Sequence, residues 1–382
     1  MESVQTMPKI RLAEPDISDA EVELVASVMR SGVLALGPLA EEFETRLAEL
    51  TGRAFAIACS SGTAALHMAV RGLALQEGME VITSPFSFVA SSNCILYQGA
   101  VPRFVDIEED TLGLDPDLIE DAATDRTAGI VTVHVFGQPC QIDRINRISD
   151  ARGWWLVEDA CEALGSSING RPLGSYGAAS TFAFYPNKQI TTGEGGVVMT
   201  DDEDLAKSVR SMRNQGRDED GTWLRHIQLG YNYRLDEMSA ALGVAQLRRI
   251  AELDARRRHV VEAYGQALSS LEWLTVPKPV AGASVNWFVY VVRVDPVRID
   301  RDRLLENLER HGVPARPYFA PLHLQPFYRE TFGYRPGDFP VTERVASSTL
   351  ALPFSTKLTD EQIAYIAETL GSCAASSAPD PS

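Results

Sequence analysis

The sequence predicts an α/β fold: a large domain built on a mostly parallel seven-stranded sheet, followed by a smaller α+β domain. Three observations predict it. Short apolar runs recur, helix-length stretches separate several of them, and the pattern changes near residue 235. The runs span residues 54–59, 80–84, 101–106, 129–136, 154–158, 181–185 and 195–200. Stretches 64–75 and 116–123 between them have the length and apolar spacing of helices. Buried strands that alternate with helices imply a sheet covered on both faces. Ligands of such sheets lie beyond the carboxyl ends of the strands, so functional residues are expected just after the runs.

From Leu235 to about Leu271 the pattern turns helical and long, with Met238, Ala241, Leu242 and Ala245 spaced to make one apolar face. After it, residues 286–294 read as a strand, and residues 300–311 as a helix stopped by Gly312 and Pro314. The last helix opens on the capping box Thr359-Asp360-Glu361-Gln362 and is expected to end at Gly371. The expected organisation is a large domain over 1–251, a small one over 252–371 and a disordered tail over 372–382.

The chain has 382 residues, with 35 Lys and Arg against 52 Asp and Glu, a formal net charge of -17. That balance argues against binding nucleic acid through its phosphates and against docking on an anionic membrane. No apolar run approaches a membrane span and the first residues carry no apolar signal segment, so a cytoplasmic protein is expected. The five cysteines form no CxxC pair and the six histidines no metal-binding cluster, so neither a disulfide framework nor a metal site is expected. The run Arg256-Arg257-Arg258-His259 reads as a solvated helix face, and Trp154-Trp155 as core.

Chemistry concentrates where the strands end. In Phe182-Ala183-Phe184-Tyr185-Pro186-Asn187-Lys188, a lysine follows an aromatic strand and precedes a glycine-rich turn. A lysine held there is a candidate amine nucleophile, able to form a Schiff base with an aldehyde. Residues 54–59 lead into Ser60-Ser61-Gly62-Thr63-Ala64-Ala65, which opens an apolar helix. Amides at a helix start, with the hydroxyls of Ser61 and Thr63, suit a phosphate, although a plain helix cap reads the same way. After residues 80–84, Phe86 or Phe88 could stack on a planar ring. Residues 154–158 run into Glu158-Asp159-Ala160-Cys161-Glu162, an acid at a buried strand end that needs a cationic or hydrogen-bonding partner. Asp159 is the candidate, with Glu158 as the alternative. The segment Gly230-Tyr231-Asn232-Tyr233-Arg234 precedes the long helix and again suits an anion or simple capping. A phosphate cup, a stacking ring, a strand-end acid and a post-strand lysine, in this order, are what pyridoxal phosphate binding requires.

The runs SGTAAL, VEDACEALG, NKQITTGEGG and GYNYRLDEMSAALG resemble the DegT/DnrJ/EryC1/StrS family of pyridoxal-phosphate sugar aminotransferases, on the aspartate-aminotransferase (type I) fold. The similarity runs from GPLAEEFE at residues 37–44 to LPFSTKLTDEQI at residues 352–363. It implies that Lys188 carries pyridoxal 5'-phosphate as a Schiff base, that Asp159 pairs with the pyridine nitrogen and that Glu162 sits near the ring hydroxyl. Phe88 would stack on the ring, and Gly62, Thr63 and Ala64 would hold the phosphate. Asn232 would reach the cofactor of a partner subunit, in a homodimer whose sites lie at the interface. Arg234 would meet acidic parts of the substrates, and His323 is expected in the substrate site. The segments 218–228 and 316–327 are expected to select the sugar.

Two residues depart from the family pattern. Glu162 stands where many members have Gln or His, and Ala183 where many have Ser, so a phosphate contact is lost or supplied by Ser180, Thr181 or Asn187. Members with His in place of the lysine are dehydratases, so Lys188 favours transamination. The activity implied is transfer of an amino group from L-glutamate (or glutamine) to a keto-sugar linked to a nucleotide diphosphate. The alternatives are an aminocyclitol ketone, an aminobenzoate-type precursor, or a non-catalytic regulator on the same fold.

Overall fold

The computed structural model describes residues 9–218 and 224–379. Its main sheet contains Phe55–Cys59, Glu80–Thr83, Val101–Phe104, Thr127–Val133, Trp155–Asp159, Ala179–Ala183 and Gly196–Thr200, one strand from each apolar run. Across the sheet the order is 55–59, 196–200, 179–183, 155–159, 127–133, 80–83, 101–104. Neighbours are parallel, except that 196–200 runs against both strands beside it. Residues 184–195 contain no helix to carry the chain across the sheet, so strand 196–200 returns antiparallel to 179–183. Lys188 sits in that return.

Alternate strand residues face opposite sides. Ile57 and Cys59 join Val131 and Val157 against the helix Gly62–Gly72, while Ala56 and Ala58 join Ile130 and Leu156 against Phe43 and Leu47. The stretch after Leu235 is two helices, Glu237–Arg248 and Ile250–Ala267, that meet at Arg249. The first is buried well beyond the single face read from spacing, with Ala240, Ala241, Val244, Ala245 and Leu247 all inside. The reason is tertiary: helices Asp19–Ser31 and Pro38–Thr51 both pack on it. Its buried Glu237 accepts hydrogen bonds from the amides of Leu39 (2.9 Å) and Ala40 (3.0 Å), capping the second of these helices.

A second sheet, Leu274–Thr275, Tyr290–Val294 and Thr349–Leu352, is antiparallel and is packed by the helices Arg301–Arg310 and Asp360–Ala374. Its core, with Tyr264, Leu304 and Ile366, also takes in Ile10, and the Phe354 amide donates to the Leu12 carbonyl at 2.8 Å. Strand Ala283–Ser284 in turn pairs with Ser167–Ile168. The two units therefore exchange segments, and a division at residue 252 is cleaner than the chain's path.

The expected tail at 372–382 is corrected in part. The last helix passes Gly371 and runs to Ala374, because Cys373 is buried on its inner face. Ser377 is buried as well, and its carbonyl accepts from the Asp300 amide at 2.7 Å. Residues 380–382 lie outside the described residues, as do 219–223 of the segment 218–228. No helix among the described residues is long and apolar enough to cross a membrane.

Candidate active site

A cavity of about 430 Å3 opens beyond the carboxyl ends of strands 155–159 and 127–133, lined by Gly62, Thr63, Phe88, Asp159, Glu162, Ala183 and Lys188 among others. Seven residues from distant parts of the sequence thus meet at one place. The chain also brings in Phe288, Tyr318 and Phe319 from its second half.

Lys188 points into this space. Its Nζ lies 3.4 Å from Glu162 Oε1 and 3.9 Å above the centre of the Phe288 ring, so a carboxylate and an aromatic face both orient the amine. Glu162 Oε2 accepts from the Phe136 amide at 2.9 Å. Burial raises the Glu162 carboxyl above the ordinary range, against the opposing pull of Lys188 and the Phe136 amide. The first departure from the family pattern therefore places an acid directly against the Lys188 amine.

Asp159 and Glu158 occupy successive positions on one strand, so they face opposite sides of the sheet. Asp159 faces the cavity and is 5% exposed. Its Oδ2 accepts from Ser91 Oγ at 2.6 Å, and its Oδ1 from the Cys161 amide at 3.2 Å. Glu158 is turned into the core, where His134 lies 2.8 Å away and the amides of Gly174 and Tyr176 donate to it at 2.9 and 2.5 Å. The Cys140 amide donates to His134 Nδ1 at 3.3 Å, which leaves the ring hydrogen on Nε2 for Glu158. Glu158 has its partners already and none to spare for a ligand. The aromatics part in the irregular segment that follows strand Glu80–Thr83: Phe86 is fully buried against Phe136 and Phe319, whereas Phe88 lines the cavity and is 61% exposed.

The helix Gly62–Gly72 begins at the cavity wall. Ser61 caps it by accepting the Ala64 amide at 3.1 Å, which leaves the first amides, those of Gly62 and Thr63, without an intrahelical acceptor. Gly62 is needed for closeness: a Cβ there would stand 2.7 Å from the Ala183 Cβ and 3.1 Å from Cys161 Sγ. Of the three residues considered in place of a serine at 183, Ser180 is turned to the opposite face, donating to the Gly174 carbonyl at 2.6 Å. Thr181 meets Cys161 Sγ at 3.6 Å. Asn187 lines the cavity with its Oδ1 buried and unpartnered, and exchanging the amide's oxygen and nitrogen would put an N–H donor in that position for an anion. Free helix-start amides, an exposed ring and a buried carboxylate around one cavity fit a phosphorylated, planar, nitrogen-containing ring.

Besides Ala64, which is not in the lining and whose amide is taken by Ser61 Oγ, two expected residues stand outside this cavity. Asn232 is exposed and forms an isolated bridge with Asn214, whose side-chain oxygen accepts from Arg234 at 2.9 Å. A third, His323, corrects the expectation: it is fully buried, its Nε2 lies 2.9 Å from Glu343 Oε1, and Phe339 and Tyr334 stand against the ring. The apolar residues flanking it, Leu322 above all, turn the short 3₁₀ segment Leu322–Leu324 inward and carry the imidazole with it.

The basic run is corrected too. Arg256 and Arg258 are surface residues paired with Asp16, Glu252 and Asp254, but Arg257 is buried. It donates to the carbonyls of Lys188 (2.7 Å) and Trp287 (3.2 Å), holding the lysine loop against the irregular segment that supplies Phe288 just before strand Tyr290–Val294, which begins four residues later than the expected strand over 286–294. No signal in the sequence separates this arginine from its neighbours except its position on the inner face of a helix. Among the described residues, no three His, Cys, Asp or Glu side chains gather as metal ligands, and all five cysteines are free.

Fold and site together define a pyridoxal-phosphate-dependent aminotransferase. Residues 15–371 match the DegT/DnrJ/EryC1/StrS aminotransferase family, and the chain belongs to it. GDP-perosamine synthase from Caulobacter vibrioides is 36% identical over 94% of this chain and 96% of its own length. DesI, solved in the presence of its TDP-sugar product, is 35% identical with a TM-score of 0.88, over 96% of this chain and 93% of that one. Spr1654 from Streptococcus pneumoniae, solved in a PMP form, is 29% identical with a TM-score of 0.92, over 96% of this chain and 99% of that one. The same protein has also been solved in a PLP form.

Proposed function

We propose that this enzyme moves an amino group from L-glutamate (or glutamine) to a keto-sugar carried on a nucleoside diphosphate. The observation that carries the reading is the Lys188 amine set between Glu162 and Phe288 in a cavity that also holds Asp159 and the start of the helix at Gly62. Relatives named for nucleotide-sugar chemistry support the substrate class. Five free cysteines suit a reducing compartment, and we place the reaction in the cytoplasm.

Pyridoxal phosphate, when bound, supplies an aldehyde that takes up the nitrogen and a ring that withdraws the electron pair left on the substrate carbon. The chain's own residues do the rest. Gly62 and Thr63 amides, with Ser61 and Asn187, would hold the phosphate. Phe88 would cover one face of the ring, and the Asp159 carboxylate would accept the hydrogen on its nitrogen and favour the positive charge there. Lys188 Nζ would take the proton from the donor carbon and return it one position away, acting as base and then acid. Glu162 keeps that amine in reach during both transfers. Tyr318, Phe319 and Phe288 wall the cavity against water.

We further propose a homodimer in which Asn232 and Arg234 complete the partner's site. Both stand outside their own cavity, and the chain exposes Met29, Val33, Leu34, Leu36, Ile227 and Leu229. Apolar surface of this kind is what subunit contacts cover.

The test is Lys188→Ala, assayed with glutamate against a panel of ketones: nucleotide-linked keto-sugars, an aminocyclitol ketone and an aminobenzoate precursor. Wild type should turn over a nucleotide-linked sugar, and the variant should lose turnover together with borohydride labelling of the lysine peptide. Normal turnover by the variant would overturn the role of Lys188. Preference of the wild type for a ketone without a nucleotide would overturn the substrate class.

A further inference from the structure

Ser91 is buried at the first turn of the helix Ala90–Leu96 and touches two of the cofactor-facing elements at once. Its Oγ lies 2.6 Å from Asp159 Oδ2, 3.2 Å from the Phe88 carbonyl and 2.7 Å from Ser87 Oγ. Its amide donates to the same Phe88 carbonyl at 3.3 Å. A carboxylate only accepts, so the single hydroxyl hydrogen of Ser91 is best used on Asp159, at the shorter distance and toward the charge. Ser91 then accepts from Ser87, which itself lines the cavity. The hydrogens thus run in one direction, from Ser87 to Ser91 to Asp159.

This arrangement fixes the carboxylate from both ends. The Cys161 amide holds Oδ1 and the Ser91 hydroxyl holds Oδ2, so the plane of the carboxyl group cannot rotate freely. The Ser91 backbone meanwhile anchors the carbonyl of Phe88, the exposed ring of the cavity wall.

We propose that Ser91 is a positioning residue that sets the Asp159 carboxylate and the Phe88 ring relative to one another, and with them the tilt of the bound cofactor. The proposal rests on the reading that Asp159 and Phe88 hold pyridoxal phosphate. It does not depend on which ketone is accepted.

The experiment uses the full chain with pyridoxal phosphate as the probe, comparing wild type, Ser91→Ala and Ser91→Thr. Three measurements are made: the cofactor dissociation constant, the visible circular dichroism of bound cofactor, and the melting temperature of the cofactor-free protein. Ser91→Ala should weaken cofactor binding about tenfold or more, the loss of one hydrogen bond to a charged group. It should also change the size or sign of the visible dichroic band, while cofactor-free melting stays within a few degrees of wild type. Ser91→Thr, which keeps a hydroxyl, should restore the band. An unchanged band and affinity in Ser91→Ala would overturn the inference, as would an affinity loss that merely tracks a lower cofactor-free melting temperature. Failure of the wild type itself to bind the cofactor would overturn the reading on which it rests as well.

Discussion

Glu162 shows how one substitution within a family pattern becomes a physical handle. Its carboxyl is raised by burial and by Asp159, while Lys188 and the Phe136 amide pull it down. With a raised native pKa, the folded protein keeps a proton that the unfolded chain has released. Its stabilising contribution is therefore complete below the ordinary glutamate value and is lost as pH rises through the raised one. Glu162→Gln removes that loss. The melting temperature of the variant relative to wild type should climb as pH goes from about 4 to about 7, which thermal melts in matched buffers will show. A difference that stays flat with pH would mean that Glu162 titrates alike folded and unfolded. The residues around it were unevenly legible. Lys188 stands out in the sequence only together with the phosphate cup, stacking ring and strand-end acid upstream of it. For Asp159 against Glu158 and Phe88 against Phe86 the residues alone leave alternatives that the family resemblance narrows, because the side of a strand or loop that faces a cavity depends on how the sheet is covered. Arg257 was missed for the same reason: the run of arginines is uniform, and only packing buries one of them.

The last helix illustrates which element boundaries are local. Its start was readable because the cap is a short-range device: Thr359 accepts the Gln362 amide at 3.3 Å and the Gln362 side chain accepts the Thr359 amide at 3.1 Å. Its end was not, since Gly371 lies within the helix and burial of Leu370 and Cys373 carries the chain past it. Thr359→Ala should cost about 1 kcal/mol of stability, read as a lower urea midpoint with an unchanged slope. The neighbouring stretch after Leu235 shows the reverse case. Spacing gives one apolar face, but two N-terminal helices pack on it and bury a different set, leaving Met238 and Leu242 half-buried, which no local period records. In the main sheet all seven runs became strands, as continuous apolar segments bounded by turns must when both faces are buried.

Across the molecule, the placement of Asn232 and Arg234 outside their own cavity makes a prediction about assembly. Mixing Lys188→Ala with Asn232→Ala subunits should restore activity that neither variant has alone. Hybrid dimers would carry one site with both native residues, so random reassortment should recover about a quarter of wild-type turnover. Steady-state assays after denaturation and refolding of the mixture, with sedimentation to count subunits, check this. No recovery from a refolded dimer would place Asn232 in its own subunit's site, or in none.

What the sequence determined alone was whatever depends on short stretches of chain: strand-forming runs, helix caps, the lysine after an aromatic strand, and the runs that mark the family. These rest on backbone geometry and burial within a few residues of one another. Only the tertiary structure decided which of two adjacent acids meets the cavity, that His323 turns inward onto Glu343, that Arg257 grips the Lys188 loop, and that Ile10 closes the core of the C-terminal unit. Each of these pairs groups far apart along the chain, and which pairs form is settled by the packing of whole elements on the sheet rather than by anything written near the residues themselves.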